Sequence, residues 1–252
     1  ALKAKYDIGD DISLRASYAQ GYRSPDLKEL FIEFIDINHY IIGNKDLQPE
    51  RSNDFQLTAQ YDPCSWVDAK LNVYKTFIKD KISLVQYGSQ KYNYQNVDRY
   101  DVYGAQLDLG GSWSALNWNL ASSLRYWNTN INIEGTSEQG RIVDFSANLN
   151  YQIPKIKIGT SLNYRLVGTQ PLYTFENEEV MISTISSTDF LDVSLNRSFW
   201  KNRIQIVTGC KNIMNTTQTA ITGAAGGGLH GTSGSQLINQ GRSYFVRLGV
   251  KL

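Results

Sequence analysis

Residues able to do chemistry are sparse in this chain, and their spacing points to recognition rather than turnover. It holds two histidines, His39 and His230, two cysteines, Cys64 and Cys210, and a run Gly21-Tyr22-Arg23-Ser24-Pro25 that sets a phenol beside a guanidinium. An imidazole can ligate a metal or carry a proton. Each histidine stands alone in a predicted long loop, however, where solvation or a local hydrogen bond is its commoner fate. The cysteines show no CxxC or His spacing, which argues against a disulfide framework or a zinc site. Gly226-Gly227-Gly228-Leu229-His230-Gly231 is glycine-rich but lacks the Lys-Ser/Thr and strand-to-helix context of a phosphate cradle, so it reads as a flexible loop. No nucleophile elbow, HExxH or paired-carboxylate site is present, and catalysis is not expected. Tyr22 and Arg23 remain as candidate ligand contacts. The plainer reading gives Gly21 close approach to a neighbour and Pro25, which has no N–H, the end of a strand.

These residues must be carried by a scaffold, and composition bounds what it is. The 252 residues have a net charge of +1, 41% hydrophobic content, five prolines and sixteen tyrosines. So balanced a charge argues against a nucleic-acid partner. No apolar run approaches the roughly 18–20 residues of a spanning helix, whereas barrel strands need only about 9–11 residues of alternating character. Ala1-Leu2-Lys3-Ala4-Lys5-Tyr6 already reads as a strand with no signal peptide before it, so the sequence is expected to be one piece of a longer polypeptide.

The period is two almost throughout. Val67, Ala69, Leu71 and Val73 alternate with Asp68, Lys70, Asn72 and Tyr74; Val143, Phe145, Ala147 and Leu149 alternate with Asp144, Ser146, Asn148 and Asn150. Each strand therefore has an apolar and a polar face. A soluble sandwich alternates too, but the apolar faces here are continuous, the polar faces are heavily charged, and Tyr18, Tyr61, Tyr126, Tyr151 and Tyr164 cluster near strand ends. About eleven strands are expected, near 1–8, 11–24, 50–61, 67–87, 92–113, 117–130, 141–151, 155–174, 188–198, 203–215 and 240–252. Tight links such as Gly9-Asp10-Asp11 alternate with long ones near 25–49, 131–140, 175–187 and 216–239, with a short one near 88–91, the organisation of an outer-membrane barrel. Leu27, Leu30, Phe31, Phe34 and Ile35 recur at helical spacing, predicting a short helix after Pro25.

Two motifs bracket the first long loop. Gly21-Tyr22-Arg23-Ser24-Pro25 follows the strand Ile12–Ala19, and Gly43-Asn44-Lys45-Asp46-Leu47-Gln48-Pro49-Glu50 opens the strand Asp54–Tyr61. Strand, motif, loop, motif and strand in that order resemble the barrel of TonB-dependent outer-membrane receptors, which carry an aromatic-Arg-small-Pro stretch and an Asn-Pro-(Asp/Asn)-Leu-x-Pro-Glu stretch there. Lys45 stands in place of the usual Pro. Val207-Thr208-Gly209-Cys210-Lys211-Asn212-Ile213-Met214-Asn215 resembles the family's penultimate strand and Gly241-Arg242-Ser243-Tyr244 the opening of its final one, although Leu252 stands where an aromatic residue is usual.

The resemblance implies an all-β, antiparallel, multi-pass transmembrane barrel in a Gram-negative outer membrane, with residues 1–252 as about the last 11 of 22 strands. It implies an N-terminal plug and the earlier strands upstream, and a TonB–ExbB–ExbD complex that opens the plug. The cargo it implies is scarce, first an iron chelate, haem or a ferric siderophore, with cobalamin as the alternative. Haem receptors of the family place a histidine between the two motifs, which makes His39 the candidate haem-iron ligand and His230 a possible companion. Asp54 matches an acidic wall residue that faces the plug. A non-transporting scaffold that binds surface lipoproteins is the reading from another class.

Overall fold

Side chains that alternate in polarity favour strands, because successive residues of an extended chain point to opposite sides. The computed structural model describes residues 1–36, 40–64, 66–88, 91–129, 138–176, 179–222 and 234–250. In chain order its first elements are β1 (Leu2–Ile8), β2 (Ile12–Arg23), α1 (Leu27–Phe31), β3 (Glu33–Ile35), β4 (Tyr40–Ile42), β5 (Glu50–Cys64), β6 (Val67–Gly88) and β7 (Lys91–Trp113). They are followed by β8 (Leu116–Thr129), β9 (Glu138–Ile153), β10 (Ile158–Val167), β11 (Gln170–Glu176), β12 (Glu179–Ile185) and β13 (Thr188–Phe199). The chain closes with β14 (Ile204–Lys211), β15 (Gln218–Thr222), β16 (Gly234–Leu237) and β17 (Ser243–Val250).

Eleven strands form one wall in the order β1-β2-β5-β6-β7-β8-β9-β10-β13-β14-β17, each antiparallel to its neighbour. They answer to the eleven expected from sequence. At one end they reverse through tight turns, several held by positive φ at Gly9, Ser114, Lys157 and Trp200 to Asn202. The other end carries α1, the β3–β4 hairpin and a separate sheet, β11-β12-β15-β16. The expected strand 155–174 needs correction. It ends at Val167, and the chain re-enters extended structure at Gln170 in the second sheet. A Cβ on Gly168 would overlap the Val143 carbonyl oxygen, and the Gly168 N–H donates to Asp144 Oδ1 at 3.1 Å, so the ladder stops there. The expected strand 203–215 likewise ends at Lys211, before Asn212 turns into positive φ.

Cross-strand partners share a face, so the register sorts the wall into two sides. One side reads Ala16, Leu57, Val73, Ala105, Leu124 and Val143 across six strands. The other reads Arg15, Thr58, Asn72, Gln106, Ser123 and Asp144. Among the described residues only Leu47, Ile82, Tyr92 and Ile142 are buried hydrophobics, whereas Leu57, Leu71, Leu107, Leu124 and Val143 lie exposed in mid-strand. A sandwich would bury that face against a second sheet; here nothing among the described residues covers it. Aromatics bracket it, Tyr18, Phe55, Tyr103 and Tyr126 toward the loop end and Tyr61, Trp66, Trp113, Tyr151 and Trp200 toward the tight turns. No described helix is long and apolar enough to cross a membrane, which says nothing about strands. The wall is open: β1 and β17 are its two edges and do not pair with each other.

Candidate functional site

At the loop end the two sequence motifs meet in one ionic cluster. Pro25 stops the β2 ladder just past Arg23, and Asp26 begins α1 with a reciprocal cap: Glu29 N–H donates to Asp26 Oδ1 at 2.8 Å and Asp26 N–H donates to Glu29 Oε2 at 2.9 Å. Arg23 then grips both motifs. Its Nη1 donates to Glu29 Oε1 and Oε2 at 3.0 and 2.9 Å, and its Nη2 donates to Glu50 Oε1 at 2.7 Å. Glu50 Oε1 also accepts the Ile82 N–H at 2.7 Å, which ties the cluster to β6. These bonds favour the charged forms. The hydrogen bond from Arg23 holds the Glu50 carboxyl below the usual carboxylate range, and that from Glu50 raises the Arg23 guanidinium further.

The second motif is fixed by side-chain bonds to the β6–β7 hairpin. Asn44 Oδ1 accepts the Asp46 N–H at 2.9 Å, forming a local turn, and Asn44 Nδ2 donates to the Tyr94 carbonyl at 3.0 Å. Asn96 Oδ1 accepts the Gln48 N–H at 2.7 Å, while Asn96 Nδ2 donates to the Gln48 and Asp80 carbonyls at 2.8 and 2.7 Å. Leu47, Ile82 and Tyr92 are the buried apolar residues of this end. Gly43 is required here because a Cβ would sit 2.6 Å from the Leu30 carbonyl carbon and from the Phe31 nitrogen. Sequence reasoning misses Asn96. Its only signal is one more polar residue in an alternating strand.

The sequence-predicted site residues are not all brought together. Arg23 lies on the polar, inward side and is engaged with Glu29 and Glu50. Tyr22 shares the outward side with Tyr18 and is exposed, so the register turns it away from the lumen. Asp54 lies on the inward side, its carboxylate accepting from Thr76 Oγ1 at 2.6 Å and Gln56 Nε2 at 2.8 Å. His39 and His230 lie outside the described residues. Two motifs near the chain's end meet as well. Arg242 Nε and Nη2 donate to the Ile213 carbonyl at 3.0 and 2.6 Å, and Arg242 N–H donates to Asn215 Oδ1 at 3.1 Å, with Gly241 at φ +88°.

A cavity of about 400 Å³ opens on the inward side of β7 to β10 and touches Gln106, Arg125, Asp144, Ser146, Arg165 and Gln170. Arg165 lies 5.1 Å from the centroid of the Phe190 ring, and Arg125 is 4.0 Å from Asp144 Oδ2. Two guanidiniums against one carboxylate leave net positive charge in a wet recess, suited to planar oxyanions or carboxylates. Sequence alone does not select these arginines, since every strand of the wall carries a charge on its polar face. Only the register puts them in one hollow.

An antiparallel wall with an apolar exterior between two aromatic belts and a polar lumen defines an outer-membrane β-barrel. The chain belongs to the TonB-dependent receptor family: residues 1–213 match the model described as "TonB dependent receptor-like, beta-barrel". It is therefore an outer-membrane protein of Gram-negative type, and the family is one of receptors rather than enzymes. It is 25% identical over 198 residues to the "Iron-regulated outer membrane virulence protein" of Vibrio cholerae serotype O1, covering 70% of this chain and 30% of that protein. It is 26% identical over 126 residues to "Probable hemoglobin and hemoglobin-haptoglobin-binding protein 4" of Haemophilus influenzae, covering 43% and 12%. Among solved structures, a ferric enterobactin receptor of Pseudomonas aeruginosa superposes with a TM-score of 0.73 at 17% identity, over 98% of this chain and 39% of that one. The siderophore receptor PirA of Acinetobacter baumannii gives 0.69 at 16%, over 97% and 39%. These structural likenesses establish the fold. The chain spans less than a third of the length of the curated relatives it matches.

Proposed function

We propose that this chain forms the C-terminal part of the wall and mouth of a TonB-dependent importer whose cargo is a ferric siderophore. An N-terminal plug and the remaining strands complete the barrel, and the TonB–ExbB–ExbD complex draws the plug open. Asp54, on the inward side, is the wall carboxylate that pairs with a plug cation; Thr76 and Gln56 orient it. The observation that carries the cargo assignment is the cationic recess of Arg125 and Arg165 below the loops. Ferric chelates of oxygen donors are commonly anionic, and guanidiniums bind such oxyanions through paired N–H donors. The siderophore receptors among its structural relatives and its iron-regulated relative support the same class.

In the intact receptor, Arg125→Ala with Arg165→Ala should raise the half-saturating concentration for uptake of radio-iron siderophore at least tenfold. Unchanged uptake across a siderophore panel overturns the assignment. Haem is the second reading, favoured by the place of His39 between the motifs and by the name of the Haemophilus influenzae relative. A shifted Soret band on haem titration, lost in His39→Ala, selects it instead.

A further inference from the structure

The tight-turn end of the wall is divided by charge. At β1, β2 and β5 it is acidic, with Asp10, Asp11 and Asp62. Across β9 to β14 it is basic: Lys155 and Lys157 in one turn, Lys201 and Arg203 in the next, and Arg197 at the foot of β13. No Asp or Glu occurs in 145–165, 193–211 or 243–250, so a chain of net charge +1 gathers cations here. All five are exposed, and among the described residues none of them meets a carboxylate.

Arg197 identifies what this surface faces. The register sets it opposite Ile158 of β10 and Ile206 of β14, on the outward side with Leu195 and Phe199. Its guanidinium lies 5.0 Å from the Phe199 ring centroid. It stands one pleat beyond the row of Tyr151, Thr160 and Leu195. That is about 5 Å nearer the turns, for strands that rise about 3.3 Å per residue at a tilt of about 40°. At this depth hydrocarbon gives way to headgroups, so an outward guanidinium meets lipid phosphate, out of reach of a protein in the aqueous phase. Apolar side chains alternate with the cations: Ile156 is 47% exposed and Trp200 78%. An indole at such a boundary sits with its ring in the apolar layer and its N–H toward water. Trp200, Lys201 and Asn202 hold φ of 50°, 53° and 66°. Asn tolerates that left-handed backbone, but a bulky residue adopts it only at a cost. The turn keeps an indole and an ammonium where glycine would relax it.

We infer that the β9–β10 and β13–β14 turns bind an anionic phospholipid of the periplasmic leaflet, its phosphates on Lys155, Lys157, Arg197, Lys201 and Arg203 and its acyl chains along Ile158, Leu195 and Ile206. Two neighbouring turns with two cations each suit a headgroup with two phosphates. The inference needs the tight turns to face the periplasm, as they do in barrels of this class, and is independent of the cargo.

Native mass spectrometry of the intact detergent-purified receptor tests this, with cardiolipin as the probe and phosphatidylethanolamine of the same acyl chains as its zwitterionic counterpart. Wild type should hold cardiolipin at least tenfold more tightly, and equimolar glycerol phosphate should not displace it. The Lys155→Ser, Lys157→Ser, Lys201→Ser, Arg203→Ser variant should lose at least tenfold in cardiolipin binding. Asp10→Asn with Asp11→Asn, which alters the rim's charge away from the site, should stay within twofold of wild type. Equal binding of the two lipids by wild type overturns the inference, as does displacement by glycerol phosphate. So does undiminished binding by a serine variant that still shows heat-modifiable gel migration, or a change in the asparagine variant as large as the serine variant's. If the serine variant fails to fold, the wild-type comparison of lipids decides.

Discussion

The mid-strand wall and the clamp at its loop end hold their shape by opposite means. In the wall the backbone ladder supplies the order, and the apolar side chains of Leu57, Leu71, Leu107 and Leu124 are left without protein cover. In the clamp, short segments such as β3 and α1 could not stand alone. They are held by Arg23, Glu29, Glu50, Asn44 and Asn96, and by the buried Leu47, Ile82 and Tyr92. The difference shows where hydrocarbon replaces a core. Within the bilayer lipid covers the apolar face, whereas the end that projects into water has to assemble a small core and a polar bond network of its own.

The sharpest way to break this contrast is a charge on each face of one strand. Leu107→Arg puts a cation on the outward side in mid-strand, where a lipid-facing Arg costs about 2–4 kcal/mol. Gln106→Arg, one residue away on the wet side, should cost under about 0.5 kcal/mol. Folding into vesicles, read by heat-modifiable migration across a urea series, checks both; equal destabilisation would mean the faces are assigned wrongly.

Within the clamp, Gly43→Ala forces its methyl against backbone at Leu30 and Phe31, which cannot swing aside as a side chain could. Overpacking of this kind costs about 1–3 kcal/mol. It should speed proteolysis within residues 25–49 several-fold while the wall's urea midpoint stays put. Glu50→Gln acts next, by about 1 kcal/mol, because the charge-assisted bond is strong but Arg23 is partly solvated. The pH dependence has a fixed sign. Glu50 is held below 4.5 in the folded state, so its contribution is present above that value and lost as pH falls through the lower folded one. Loop proteolysis by an acid-tolerant protease should therefore accelerate below about pH 4.5 in wild type and show no such step in Glu50→Gln. The smallest effect is expected at Tyr22. Outward-facing, Tyr22→Ala should leave cargo affinity within twofold, and a larger loss would return Tyr22 to the binding site.

Much of the wall is legible in the residues alone. The alternation of Val67 to Tyr74 and its repeats reports face and strand directly, because a strand's period is a local property. The helix after Pro25 is legible only in part: Leu27, Leu30 and Phe31 fall in α1, capped by Asp26 and Glu29, whereas Phe34 and Ile35, read at the same helical spacing, lie in β3. The loop strands are not. β3 and β4 have three residues each, too few for a period to register, and β11 reads as a continuation of β10 because Gly168 and Pro171 can mark an interruption but not which sheet the chain joins next.

The chain's own order of residues determined that it is an all-β wall with one oily and one wet side, and where its two receptor motifs fall. What it could not decide is which distant residues meet: Arg23 with Glu50, Asn96 with Gln48, Arg125 with Arg165. Those meetings depend on register, which is set by the whole sheet at once. A shift of one residue along a single strand would exchange its two faces and dissolve every meeting that strand makes.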